Sequence, residues 1–177
     1  MLSLFKNRIT IEQTTEILSQ ITSDIKVNFA SQIFQNLNLK NDEIARENLF
    51  LLAMYIIDGL IKNQTKKSWV RNRESLLKGY YYKCGIILNG DIPDSSNPFW
   101  SSFSDVITFY NFSLSGSISE IESLDFKNRH LKIGSLIGVS FAELCGRPED
   151  KQYKLIGSGA YISINKVVDP IFSRSIK

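Results

Sequence analysis

The chain has 177 residues, of which 43% are apolar and 22% charged, and its net charge is +3. So many apolar positions exclude an intrinsically disordered chain. The longest unbroken apolar run, Leu49 to Ile57, is nine residues against about 20 for a helix that crosses a bilayer, and two cysteines are too few for a disulfide scaffold.

Met1 to Arg8 hold neither a long apolar segment nor a small-residue cleavage site, so no leader is expected, and residues 1–9 are read as a candidate flexible N-terminus. Thr10 and Gln13 then form a capping box, in which each side chain satisfies the other residue's exposed N–H. Leu18, Ile21, Ile25, Phe29 and Ile33 follow at helical spacing and predict one amphipathic helix from about Thr10 to Leu37. Polar residues from Asn38 to Asp42 break it, and Asn41 or Asp42 can cap a second helix through Ile61. That helix is apolar on nearly every side, with a polar stripe of Glu43, Glu47, Asp58 and Lys62. Such a pattern belongs at the centre of a core.

A third helix is predicted from about Ser68 to Leu88. Trp69, Leu76, Tyr80, Cys84 and Ile87 share one side of it, and Lys67, Arg71, Lys78 and Tyr82 the other. Asn89 to Pro93 end it with turn residues. Asn97 as cap and Pro98 at the first helical position open a fourth helix, whose core stripe is Phe99, Phe103, Val106, Ile107 and Tyr110. Serines around Gly116 read as a loop. A second capping box, Ser119 with Glu122, opens a long fifth helix to Cys145. Gly146 to Asp150 close that helix and open a sixth, which Pro170 ends or kinks. A hairpin turning at Ser158-Gly159 is the alternative over 153–164, but the helical period covers more residues. The expected fold is therefore all-α: a single-domain bundle of about six helices over residues 1–177, with central helices near 43–61 and 119–145.

Charge is unevenly placed. Residues 62–83 hold seven cations and one anion, Glu74, so this strip is +6 while the whole chain is only +3. A cationic strip on a mildly acidic body attracts and steers an anionic partner. Lys66, Lys67, Arg71, Lys78 and Tyr82 are the candidate contact residues. An acidic protein surface is the expected partner. Nucleic acid is the alternative, its phosphates on the cations and a base stacked on Trp69 or on one of Tyr80, Tyr81 and Tyr82. A face that is merely solvated by its lysines would look the same in sequence.

Arg73 lies about 40° around the third helix from Trp69, inside its apolar stripe. A buried guanidinium must pair with a carboxylate or line a polar cavity; Asp58 is the expected partner, and an anion-binding site is the alternative. His130 is the chain's one histidine and sits on the apolar stripe of the fifth helix, as a packed core residue does. As a ligand residue it would instead line an aromatic pocket with Phe99, Trp100, Phe103 and Tyr110. Haem ligation has no supporting motif, and one histidine with two cysteines 61 positions apart offers no zinc-ligand spacing. No cofactor and no metal are therefore expected. Gly134, Gly138 and Ala142 recur at every fourth position and allow a neighbouring helix to come close. Gly157-Ser158-Gly159 lacks the Lys and Ser/Thr of a phosphate loop.

No nucleophile elbow, dinucleotide fingerprint or metalloprotease motif occurs. The expectation is a non-enzymatic cytoplasmic interaction factor of the immunity, adaptor or regulatory type, with reduced thiols. Its richness in Ile, Asn, Lys and Ser points to the AT-rich genome of a bacterium or phage. A ligand- or cofactor-binding helical domain is the alternative.

Overall fold

A computed structural model describes residues 8–90 and 92–176. Thr10 opens α1 (Ile11–Asp24) through the expected capping box. The rod continues through a π-helical turn (Ile25–Phe29) into α2 (Ala30–Asn36) without a break. Asn38, at φ 56°, stops it, and the Leu39 N–H donates back to the Phe34 carbonyl, a left-handed C-terminal closure. Asp42 accepts from the Ala45 N–H and caps α3 (Glu43–Lys62).

The next helix, α4 (Lys67–Lys83), is shorter than the sequence spacing implies. Gly85, at φ 88°, ends it, with the Ile86 N–H donating to the Tyr81 carbonyl. Ile87 therefore leaves the apolar face and lies 57% exposed. A short antiparallel pair, β2 (Leu88–Asn89) and β3 (Ile92–Pro93), forms where a turn was expected. Asn97 caps α5 (Pro98–Ser115) with both the Phe99 and Trp100 N–H groups.

The long fifth helix expected over 119–145 is two helices. α6 (Ile118–Ser123) ends where Leu124 turns extended, and Asp125 caps α7 (Phe126–Leu144) by accepting from the Asn128 N–H. Arg129 latches the corner by donating to the Glu122 and Leu124 carbonyls. The cap is therefore Asp125, and Ser119 with Glu122 forms no box. Gly146, at φ 68°, separates α7 from α8 (Lys151–Phe172), which is helical across the stretch where a hairpin was the alternative.

With α1 and α2 counted as one rod, seven helices form an all-α bundle among the described residues. α3 lies at its centre: Leu49, Leu52, Ala53, Met54 and Ile57 have no exposure. The expected flexible N-terminus falls mostly on residues 1–7, outside the described ones. Its last two residues, β1 (Arg8–Ile9), are instead held in a parallel pair with β4 (Ser175–Ile176).

α7 and α8 meet along small residues, as the spacing of Gly134 and Gly138 implied. A Cβ on Gly138 would collide with the Lys154 carbonyl, and one on Gly157 would lie 2.5 Å from the Phe141 Cβ. Gly157-Ser158-Gly159 thus serves helix packing. Gly59, inside α3, faces open space. Urea unfolding should accordingly show Gly138→Ala and Gly157→Ala destabilised by about 1–3 kcal/mol through overpacking, and Gly59→Ala stabilised by about 0.5–1 kcal/mol through lost backbone entropy. The Tyr110 hydroxyl is buried with no hydrogen-bond partner among the described residues, so Tyr110→Phe should gain about 1 kcal/mol in the same measurement.

Candidate functional site

The outward face of α4 is set by what α4 buries. The Trp69 indole N–H donates to the Arg174 carbonyl at 2.8 Å, and its ring packs 4.6 Å from Phe172. The Tyr80 hydroxyl meets Thr22 Oγ1 at 2.7 Å inside the α1 contact. With this side fixed, Lys67, Arg71, Lys78 and Tyr82 point to solvent, and Tyr82 is 69% exposed.

Most of the cationic strip is occupied by the chain itself. Lys62 pairs with Asp58 at 2.7 Å and Lys83 with Glu16. Lys66 donates to the Phe172 and Ser173 carbonyls at 3.1 and 2.6 Å, a cation on the negative end of α8. Lys67 and Arg71 make no hydrogen bond or ion pair among the described residues. Together with Lys66, Ser68 and Ser175 they line a basin of about 390 Å³. Lys78 and Tyr82 border a separate hollow of about 650 Å³ beside Glu74 and Leu88. The candidate contact residues thus form two adjacent depressions on one face.

Arg73 does not pair with Asp58. Its Nη2 donates to the Gln64 carbonyl at 2.9 Å, and its Nε is buried with no acceptor. Asp58, only 4% exposed, accepts from the Tyr81 hydroxyl and from Lys62 one turn along its own helix. Asp58 and Lys62 stand at an i,i+4 spacing that sequence shows plainly. Tyr81, on another helix, carries no such signal.

The aromatic residues expected around His130 do not surround it. Phe99 packs on Phe50 with centroids 5.8 Å apart. Trp100 and Phe103 pack against Tyr81, and Tyr110 stacks on Tyr55 at 4.9 Å. Those four are packing residues, turned toward α3 at Phe50 and Tyr55 and toward α4 at Tyr81. His130 instead bonds through Nδ1 to the Tyr161 hydroxyl at 3.0 Å and borders a cavity of about 380 Å³ reached from α5 by Ile107, Asn111 and Leu114. Asp58, Lys62, Asn63, Asn165 and Tyr55 add to its polar wall. Apart from Asp58 and His130, sequence reading missed these wall residues, which meet only through helix packing. On the outer side of His130 and Tyr161 lies an apolar groove with Phe126, Leu131 and Ile162. No three His, Cys, Asp or Glu come together in a metal-binding group, and no helix is long and apolar enough to cross a membrane, among the described residues.

No family model matches the chain, and no curated protein or solved structure matches it either.

Burial pushes both thiols, Cys84 and Cys145, from the ordinary value near 9 up to about 12, and it raises Tyr161 to about 12 as well. A raised acid pKa favours the neutral folded form. Its contribution is whole below the unfolded value and is lost as pH rises through the folded one. Denaturation profiles should therefore show no loss from these groups up to about pH 9 and a progressive loss between pH 9 and 12. A thiol reagent at neutral pH should label neither cysteine until the protein is unfolded.

Proposed function

We propose that this protein is a non-enzymatic interaction factor of the immunity, adaptor or regulatory type, working in the cytoplasm, that docks an acidic protein surface on the outer face of α4. The observation that carries the reading is the basin of Lys66, Lys67, Ser68, Arg71 and Ser175, in which Lys67 and Arg71 are not neutralised by any carboxylate among the described residues. Two open cations beside hydroxyl groups fit a carboxylate-bearing surface and steer its approach. Tyr82, standing free beside the second hollow, supplies the aromatic anchor that such contacts favour.

Nucleic acid is served less well. Trp69, Tyr80 and Tyr81 are buried, which leaves Tyr82 as the one α4 aromatic able to stack on a base.

The test is affinity capture from the native host followed by mass spectrometry, comparing wild type with the double charge reversal Lys67→Glu and Arg71→Glu. The reversal should leave the melting temperature within about 2 °C, as expected for exposed sites, and should abolish the captured partner. Tyr82→Ala should weaken that capture without removing its salt sensitivity. A partner retained at full strength by the double variant would remove α4 as the docking face.

A further inference from the structure

The cavity beside His130 combines an aliphatic lining with a charged one. One side is aliphatic, made by Ile107, Ile133 and Ile137. The other side carries two opposite charges, Asp58 and Lys62, 2.7 Å apart. Asp58 is fixed, buried in α3 and held by the Tyr81 hydroxyl. The Lys62 side chain is 48% exposed and swings on four rotatable bonds. Of the three amides in the lining, Asn63, Asn111 and Asn165, the last two carry complementary free groups. Asn111 accepts from the Tyr55 hydroxyl through Oδ1, which leaves its NH₂ to donate. Asn165 donates its NH₂ to the Tyr161 carbonyl, which leaves its Oδ1 to accept.

We propose that this cavity binds a free α-amino acid with an apolar side chain. Charge balance selects the class. A lone amine would have to displace Lys62 from Asp58 and leave that ammonium unpaired. A lone carboxylate would bring a second negative charge against a buried one. An uncharged apolar molecule would cover the ion pair without bonding to it, at the desolvation cost of both charges. A zwitterion avoids all three: its ammonium meets Asp58 and the Asn165 oxygen, and its carboxylate meets Lys62 and the Asn111 NH₂. One ion pair becomes two, every charge keeps a partner, and the side chain lies on the isoleucine wall. About 380 Å³ is at the small end of ligand pockets and suits a single residue better than a peptide or a nucleotide. The site is independent of docking on α4, because neither Lys67 nor Arg71 borders it.

Calorimetry and thermal-shift measurements on the full chain would compare L-phenylalanine and L-leucine with phenethylamine and 3-phenylpropionate. The amino acids should bind at one per chain and raise the melting temperature. Each half-ligand lacks one charge-assisted hydrogen bond and should bind at least about tenfold more weakly. Asp58→Asn risks the fold through Tyr81, so the deciding variants are Lys62→Gln and Asn165→Ala, checked for native circular dichroism. Lys62→Gln should weaken L-phenylalanine about tenfold or more and abolish its advantage over phenethylamine, and Asn165→Ala should weaken it by a smaller factor. The proposal is overturned if neither amino acid binds at millimolar concentration, if phenethylamine binds as tightly as L-phenylalanine, or if Lys62→Gln leaves the affinity unchanged.

Discussion

Asp58 is a carboxylate that the central helix carries into the interior, and much of the surrounding architecture follows from keeping it satisfied. Because α3 is apolar on almost every side, Asp58 in its later turns lies away from water. An unpaired buried charge costs several kcal/mol. Lys62 arrives from the next turn of α3, and Tyr81 from α4. The Tyr81 bond ties the rotation of α4 to α3, and the same ring packs against Trp100 and Phe103 of α5. One satisfied carboxylate thus relates three helices.

That rotation has a consequence at the surface. With Trp69, Leu76 and Tyr80 turned inward, the cations of α4 are turned outward, and their individual surroundings then separate them. Lys62, at the end of α3, stays on Asp58 of its own helix, while Lys66, Arg73 and Lys83 tie the α4 segment to neighbouring parts of the chain through carbonyls and a carboxylate. Lys67 and Arg71 are left open at the head of α4. A strip that looks uniform in sequence is in space a set of structural clamps with a small open basin beside them.

The periodicity of apolar residues made the helical class legible, together with the central place of α3 and the helical state of α8. Caps were legible where a polar residue precedes a strong periodic run, as at Thr10, Asp42 and Asn97. The break at Leu124 was not, because Ser119 with Glu122 offered an equally plausible start one and a half turns earlier, and Asp125 wins by bonding to Asn128 and gaining the Arg129 latch. The end of α4 was not legible either, because Ile87 continues the apolar stripe of Trp69, Leu76, Tyr80 and Cys84, whereas Gly85 at φ 88° turns the chain out of the helix.

The sequence by itself determined that the chain is helical over most of its length, that the helix near 43–61 belongs in the core, and that α7 must accept a close neighbour, because those outcomes depend on composition and spacing within a single segment. Only the tertiary structure decided that Asp58 meets Tyr81 rather than Arg73, and that Phe99, Trp100, Phe103 and Tyr110 pack away from His130. It alone brought Asn111, Asn165 and the Asp58–Lys62 pair around one cavity. Those groups lie on different helices, and the rotation of one helix against another is set by the sum of many side-chain contacts, which no local pattern encodes.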